Sequence, residues 1–227
     1  MTEHFCSITL TVNGEDVRET VEARTTLVDF LRERLGLTGS HVGCEQGVCG
    51  ACTVRLDGVT VRGCLTLAAQ CEGSKVETIE GVSDSGEIAD LQEAFVRRNA
   101  LQCGFCTPGM LLSAQELLNS QEHASDGVPS REAIRAHLSG NYCRCTGYQA
   151  IVDAVEAAAV ARAHARSSIS PGGGRSARFS GPGGGGSASA HTSLSPDLGS
   201  PSAAKKRTLP SPSRGGWSTP RSDGAVA

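Results

Sequence analysis

The sequence has few aromatic residues and no long hydrophobic run. Aromatic side chains make up 4% of the 227 residues, and only one of them is tryptophan. A chain so poor in large apolar side chains is ill suited to one uniform core of this length, so one or two smaller folded domains are expected. No stretch of about 18 consecutive apolar residues is present, so we predict no membrane-spanning helix.

Motifs typical of several enzyme active sites are missing as well. We find no Ser/His/Asp combination, no glycine loop that would bind phosphate before a helix, and no Rossmann fingerprint. The six histidines are scattered. The N-terminus lacks the basic start and apolar run of a signal peptide, so we expect a cytoplasmic location and no membrane partner.

Charge divides the chain into two parts. Residues 1–164 have a formal net charge of −9 and residues 165–227 one of +6, which together give the −3 of the whole chain. The second part is rich in glycine, serine and proline and has no helical or strand periodicity, so we predict a disordered tail. Its basic cluster at 205–207 is short, so we interpret it as part of a solvated tail rather than as a site for nucleic acid or an acidic partner.

Cysteine, by contrast, is abundant. Ten cysteines are present, and in a chain without an export signal they favour metal binding over disulfides. The segment 43–64 reads G-C-E-Q-G-V-C-G-A-C-T-V-R-L-D-G-V-T-V-R-G-C. Its C-x4-C-x2-C spacing with a later fourth cysteine is that of a plant-type [2Fe–2S] site, and its glycines allow backbone N–H groups to approach cluster sulfurs. The candidate ligands of this first set are Cys44, Cys49, Cys52 and Cys64.

A second cysteine set follows, in L-Q-C-G-F-C-T-P-G-M and N-Y-C-R-C-T-G-Y. Its C-x2-C and C-x-C pairs, taken alone, leave two interpretations open. Four thiolates suit a second [2Fe–2S] cluster, and they also suit a structural zinc ion. The members of this second set are Cys103, Cys106, Cys143 and Cys145.

Three further residues could be mistaken for ligands. Cys6 and Cys71 lie outside both sets, and we predict structural roles for them because free cysteine is often buried. His41, three residues before Cys44, could be read as a Rieske-type ligand. Since the four-cysteine set is already complete, we interpret His41 as a loop residue.

Periodicity predicts an α+β chain. Strands are expected at Phe5–Val12 and Asp16–Ala23 around an Asn-Gly turn, at 53–56 and 59–62 around Asp57-Gly58, and at 75–79. A helix is expected from Thr26 to Gly36 and a helical turn at 65–69. After Gly81 the pattern changes to four helices, beginning near residues 88, 107, 130 and 149.

Four motifs together resemble the iron–sulfur subunit of the xanthine oxidase family of molybdenum hydroxylases. They are G-C-E-Q-G-V-C-G-A-C-T-V, R-G-C-L-T-L-A, Q-C-G-F-C-T-P-G-M and Y-C-R-C-T-G-Y, and the resemblance covers roughly residues 8–163. It implies a plant-ferredoxin-like β-grasp domain at 1–80 and a four-helix [2Fe–2S] domain at 81–164. The tail at 165–227 departs from the usual family pattern.

The resemblance implies an electron-transfer subunit of an oxidoreductase. In this family a molybdopterin-binding large subunit hydroxylates a small substrate, and single electrons pass through two [2Fe–2S] clusters to FAD on a medium subunit. The second cysteine set would hold the cluster nearer molybdenum, and the first set the cluster nearer FAD. Gln102 would hydrogen-bond the pterin, and Cys145 would lie close to it.

The implied assembly is a hetero-oligomer, such as a dimer of heterotrimers, and the isolated chain is not expected to turn over substrate. Two other functions are considered. One is a free-standing two-cluster ferredoxin, although a second cluster domain favours a fixed complex. The other is a zinc-stabilised binding module, for which the folded part has too few basic residues to favour nucleic acid.

Overall fold

The computed structural model describes residues 4–120 and 127–169, which belong to one compact unit. Strands dominate its first half and helices its second, so the mixed helix and strand character predicted from the sequence is confirmed. The predicted tail lies outside the described residues from 170 onward. The last helix continues to Ile169, beyond the predicted boundary at 164.

Five strands form one mixed sheet. They are β1 (Phe5–Val12), β2 (Glu15–Glu22), β3 (Thr53–Leu56), β4 (Val59–Arg62) and β5 (Lys75–Glu77), in the order β2-β1-β5-β3-β4. β1 pairs in parallel with β5, and the other neighbours are antiparallel. Both predicted hairpin turns are present, with Asn13 at φ 51° and Asp57 at φ 49°. These positive angles, each followed by glycine, suit the turn that matches the twist of a hairpin.

One face of the sheet packs against a short helical segment. The segment begins as α1 (Leu27–Asp29), where the Thr26 hydroxyl accepts a hydrogen bond from the Asp29 N–H at 3.2 Å, and continues as a π-helical turn at Phe30–Arg34. It buries Leu27, Phe30 and Leu31 against the inward side chains of β1. Each such side chain contributes about 1.5–3 kcal/mol on burial, so this packing is a main source of stability for the sheet half.

Five helices form the second half: α2 (Ile79–Asp84), α3 (Ala89–Arg97), α4 (Thr107–Asn119), α5 (Arg131–Leu138) and α6 (Gln149–Ile169). The four predicted helices correspond to α3–α6, and α2 is additional. The prediction of strand at residue 79 is wrong, because the Asn13 side chain accepts the Thr78 N–H at 2.8 Å and the chain turns into α2 there. Among the described residues, no helix has both the length and the apolar content needed to span a bilayer.

Specific polar contacts join the sheet to the helices. Arg55 on β3 pairs with Glu77 on β5 at 3.1 Å and with Glu87, just before α3, at 3.0 Å. Glu116 on α4 accepts hydrogen bonds from the backbone N–H and hydroxyl of Thr60 on β4. The two halves are therefore held in a fixed orientation, which brings their cysteine loops together.

An ion pair between α3 and α6 gives the fold a predicted pH dependence. Arg162 donates to both Asp90 oxygens at 2.6 and 2.8 Å, and these hydrogen bonds hold the pKa of Asp90 below its usual range. Because the folded pKa lies below the unfolded one, the stabilisation is present above the usual aspartate pKa and is lost as pH falls through the lowered value.

We therefore expect Asp90→Asn to lower the free energy of unfolding at pH 7 by about 0.5–1 kcal/mol, a size that allows for solvent screening. The difference from the unaltered chain should shrink as the pH falls below the usual aspartate pKa and through the lowered pKa of Asp90. Urea unfolding at pH 7 and at progressively lower pH measures this difference in the free energy of unfolding. Asp84→Asn, at an exposed position, is the control, and an Asp90→Asn deficit that persists undiminished in acid would contradict the assignment.

Candidate metal centres

The first cysteine loop is shaped by left-handed backbone angles. Glu45, Gly47 and Gly50 have φ of 55°, 80° and 73°. Turns of this kind point successive backbone N–H groups into one concavity, which favours bound negative charge. One result is that the Cys49 N–H donates to the Cys44 sulfur at 3.4 Å.

This loop brings the first cysteine set together. Cys44 interacts with Cys49, Cys49 with Cys52, and Cys52 with Cys64. Backbone hydrogen bonds from Cys49 and residue 46 lower the pKa of the Cys44 thiol to about 6. Burial raises the pKa of Cys52, which is 2% exposed, to about 11. The set thus combines an outer thiol that ionises readily with an inner thiol that stays neutral unless a cation faces it.

The second set also converges, although its members lie in two separate loops. The sulfurs of Cys103 and Cys145 are 3.5 Å apart, and the thiol of Cys143 is close enough to that of Cys106 to affect its pKa. The Cys103–Cys145 pair is exposed, whereas the other two thiols are half-buried. The loop before α4 and the loop before α6 therefore present four sulfurs to one place.

The second set shows the same contrast between outer and inner thiols. The Phe105 N–H lowers the pKa of Cys103, whereas burial raises the pKa of Cys106 to about 12. Burial opposes ionisation of Cys143, but hydrogen bonds from Thr146 and the Cys145 backbone outweigh it and lower the pKa of its thiol. Backbone and hydroxyl donors thus favour thiolates at part of this site.

The donor chemistry of both places fits iron–sulfur clusters. Cysteine thiolates are the usual cluster ligands, and hydrogen bonds to sulfur tune cluster potentials. The backbone donors at Cys44 and Cys103 are of this kind, and a bound metal deprotonates a coordinating thiol even where burial alone would keep it neutral. Within residues 4–120 and 127–169, no group of three Cys, His, Asp or Glu side chains has the arrangement needed to hold a single metal ion.

The two cysteine loops are in direct contact. The Tyr142 N–H, next to Cys143, donates to the Cys49 carbonyl at 2.8 Å. Asn141 is 2% exposed, and its side chain donates to the Gly50 carbonyl at 3.2 Å. A side chain at Gly50 would overlap the neighbouring backbone and Asn141, so the close approach requires glycine. Arg62 adds a hydrogen bond to the carbonyl of residue 140 at 2.8 Å.

The remaining candidate residues have distinct positions. Gln102 is exposed beside the second set, and its side chain donates to the Cys145 carbonyl at 3.2 Å. His41 contacts the Phe105 carbonyl at 2.7 Å rather than a cysteine sulfur. Cys71 is buried in the core of the sheet half, and Cys6 is half-buried on β1.

Sequence reasoning missed the residues that join the loops, namely Asn141, Arg62 and the pair His41–Phe105. The only local sign of such a role was the closeness in sequence of Asn141 to the C-x-C pair of the second set. The partners are 64 to 91 residues apart in the chain, so no local spacing pattern identifies them.

Comparisons with known proteins agree with this geometry. Two family profiles match, a 2Fe-2S iron-sulfur cluster binding domain over residues 10–80 and a [2Fe-2S] binding domain over residues 78–156. Caffeine dehydrogenase subunit gamma of Pseudomonas sp. (strain CBB1) is 50% identical over 149 residues, which are 66% of this chain and 88% of that subunit. Nicotine 6-hydroxylase small subunit of Paenarthrobacter nicotinovorans is 54% identical over 148 residues, 65% and 86% of the two chains.

A solved structure gives the same result. A chain of quinoline 2-oxidoreductase from Pseudomonas putida 86 superimposes with a TM-score of 0.64 at 48% sequence identity, covering 73% of this chain and 99% of that one. Both profiles, the subunit relatives and this structure agree with the four sequence motifs. The chain belongs to the iron–sulfur subunits of the xanthine oxidase family of molybdenum hydroxylases, and it is a subunit of an oxidoreductase.

Proposed function

We propose that this chain binds two [2Fe–2S] clusters, one at each cysteine set, and works between a molybdopterin-binding large subunit and an FAD-binding medium subunit. When bound, the clusters supply one-electron transfer between the molybdopterin and FAD. The observation that carries the proposal is the convergence of two separate sets of four thiols, in loops joined by the hydrogen bond from the Tyr142 N–H to the Cys49 carbonyl.

The protein's own groups have three tasks in this function. Backbone N–H groups such as those of Cys49 and Phe105 stabilise thiolate charge. The contact between the two loops fixes their separation. It also supplies a short route for electrons from Cys49 to Cys143, made of one hydrogen bond and the covalent bonds on either side of it. Gln102, exposed beside Cys145, would offer its amide to a pterin on the large subunit.

Exposed apolar side chains around both sites favour fixed partners over a free-standing ferredoxin. Val48 and Leu65, at 45% and 62% exposure, adjoin the first set, and Phe105 and Tyr142 lie beside cysteines of the second. Apolar and aromatic groups in such clusters are typical of protein interfaces. We also propose the domain division 1–80 and 81–164, which is supported by family profiles that meet at residues 78–80.

Metal analysis and EPR spectroscopy of the full chain, purified without oxygen, test the proposal. We expect about four iron and about four sulfide ions per chain and two distinguishable signals after reduction, because each binuclear cluster has two irons. Stoichiometric zinc without an EPR signal would instead support a zinc-stabilised binding module. Affinity purification from the native host should recover molybdenum and FAD with the chain, and their absence would contradict the proposed complex.

A further inference from the structure

A histidine and a phenylalanine join the two cysteine loops from their outer side. The His41 Nδ1 lies 2.7 Å from the Phe105 carbonyl oxygen. The two rings stack, with centroids 4.7 Å apart and planes inclined by 15°. Because a carbonyl oxygen can only accept, Nδ1 carries the proton in this contact.

The histidine is anchored to the first loop. Its backbone N–H donates to the Ala51 carbonyl at 3.2 Å, between two cysteines of the first set. A Cβ placed on Gly43 would lie 3.1 Å from the Cys49 sulfur and 3.4 Å from the Phe105 ring. The ring of Phe105 therefore lies close to the backbone of the first loop at Gly43 as well as against the ring of His41.

The phenylalanine, in turn, belongs to the second loop. It lies between Cys103 and Cys106, and its backbone N–H lowers the pKa of the Cys103 thiol more than any other group does. The preceding residue, Gly104, has a φ of 80°, so the backbone beside Phe105 is not constrained by a regular helix. Holding the Phe105 carbonyl and ring limits rotation about the backbone bonds of Phe105, and so restricts the directions open to the N–H of the same residue.

We propose that His41 is a positioning residue for the second cluster, which it serves by binding Phe105 so that the Phe105 N–H stays directed at Cys103. The inference rests on the proposed function, since it requires a cluster at the second cysteine set. Hydrogen bonds to cluster sulfurs stabilise the added negative charge of the reduced state and so raise the reduction potential. A residue attached to the first loop thereby sets the potential of the second cluster.

Redox titration followed by EPR, on the full chain purified with its clusters, tests this role. His41→Leu is expected to shift the potential of the second cluster in the negative direction and to broaden its signal, while the first cluster keeps its potential. His41→Asn, whose amide nitrogen can occupy the place of Nδ1, is expected to restore the original potential. His41→Gln places its amide nitrogen one bond further out and is expected to behave like His41→Leu.

The stacking contact is tested separately by Phe105→Leu, which removes the ring and keeps the carbonyl. It is expected to shift the potential less than His41→Leu, and an equal or larger shift would overturn the role of the hydrogen bond. His164→Leu, at an exposed position on α6, is the control and should change neither signal.

Failure of the inference and failure of the proposed function give different results. If the unaltered chain shows two cluster signals and the His41 variants leave the second potential unchanged, the inference alone is overturned. If the unaltered chain shows no iron–sulfur signals, the proposed function is overturned and the inference with it. Should His41→Leu fold poorly, the comparison of His41→Asn with His41→Gln decides the matter, because the two side chains differ by one methylene group.

Discussion

Replacing Cys44 with serine is expected to abolish the EPR signal of one cluster and to leave the signal of the other. Cys44 is the thiol of the first set on which backbone donors converge, and serine would supply a hard oxygen in place of a soft thiolate that iron–sulfur clusters require. The second set lies in other loops and keeps all four thiols. Iron content should therefore fall from about four to about two atoms per chain.

The matched control is Cys6→Ser, which changes a half-buried thiol on β1 outside both sets. It should retain both signals and the full iron content. Cys103→Ser should give the mirror-image result, with the first signal kept and the second lost. If either ligand variant removed both signals, or neither, the grouping of the eight cysteines into two sets would be wrong.

Features encoded by neighbouring residues could be predicted from the sequence. Asn13-Gly14 and Asp57-Gly58 specify hairpin turns because the positive φ angles that those turns need are accessible to these residue pairs. The alternation of apolar and polar residues along β1 indicates a buried face, and Ile8, Leu10 and Val12 on it are at most 4% exposed. The C-x4-C-x2-C spacing likewise indicated the first cysteine loop, since the geometry of that loop is set within a few residues.

Features that depend on distant contacts could not be predicted in the same way. The run Lys75–Ile79 reads as a strand, yet β5 ends at Glu77 because Asn13, 65 residues earlier, takes the N–H of Thr78. The helix predicted from Thr26 contains a π-helical turn, in which the Leu35 N–H bonds to Phe30. The contact of His41 with Phe105 could not be predicted, because Phe105 lies 64 residues further along the chain.

The C-terminal end of α6 lies beyond the predicted end of the folded part. Periodic apolar positions fade after Ala163, and the tail was therefore predicted from residue 165. In the structure α6 continues to Ile169, and residues 164–168 are exposed on it. An exposed helical end need not show an apolar stripe, and helix continuation is favoured by residues such as Ala165 and Arg166.

Asn141→Ala is expected to destabilise the protein more than any surface change, by about 2–4 kcal/mol in free energy of unfolding. The side chain is 2% exposed, donates to the Gly50 carbonyl at 3.2 Å, and accepts from the Ser113 hydroxyl at 2.9 Å. Removing it leaves the buried Ser113 hydroxyl without its acceptor, at about 1–3 kcal/mol for an unsatisfied group, whereas the Gly50 carbonyl keeps its hydrogen bonds from Thr53. It also opens space between the two cysteine loops, which adds the cost of lost packing.

The loss should be visible in cluster properties as well as in stability, because Asn141 precedes Tyr142, whose N–H bonds to Cys49. Urea unfolding of the chain measures the loss of stability. EPR of the two reduced clusters measures the change in the magnetic interaction between them. Asn119→Ala, at an exposed position near the end of α4, is the control and should cost less than about 1 kcal/mol. A variant at Asn141 that unfolded at the same urea concentration as the control would show that the loops are held together by other contacts, of which Arg62 to the residue 140 carbonyl is the strongest candidate.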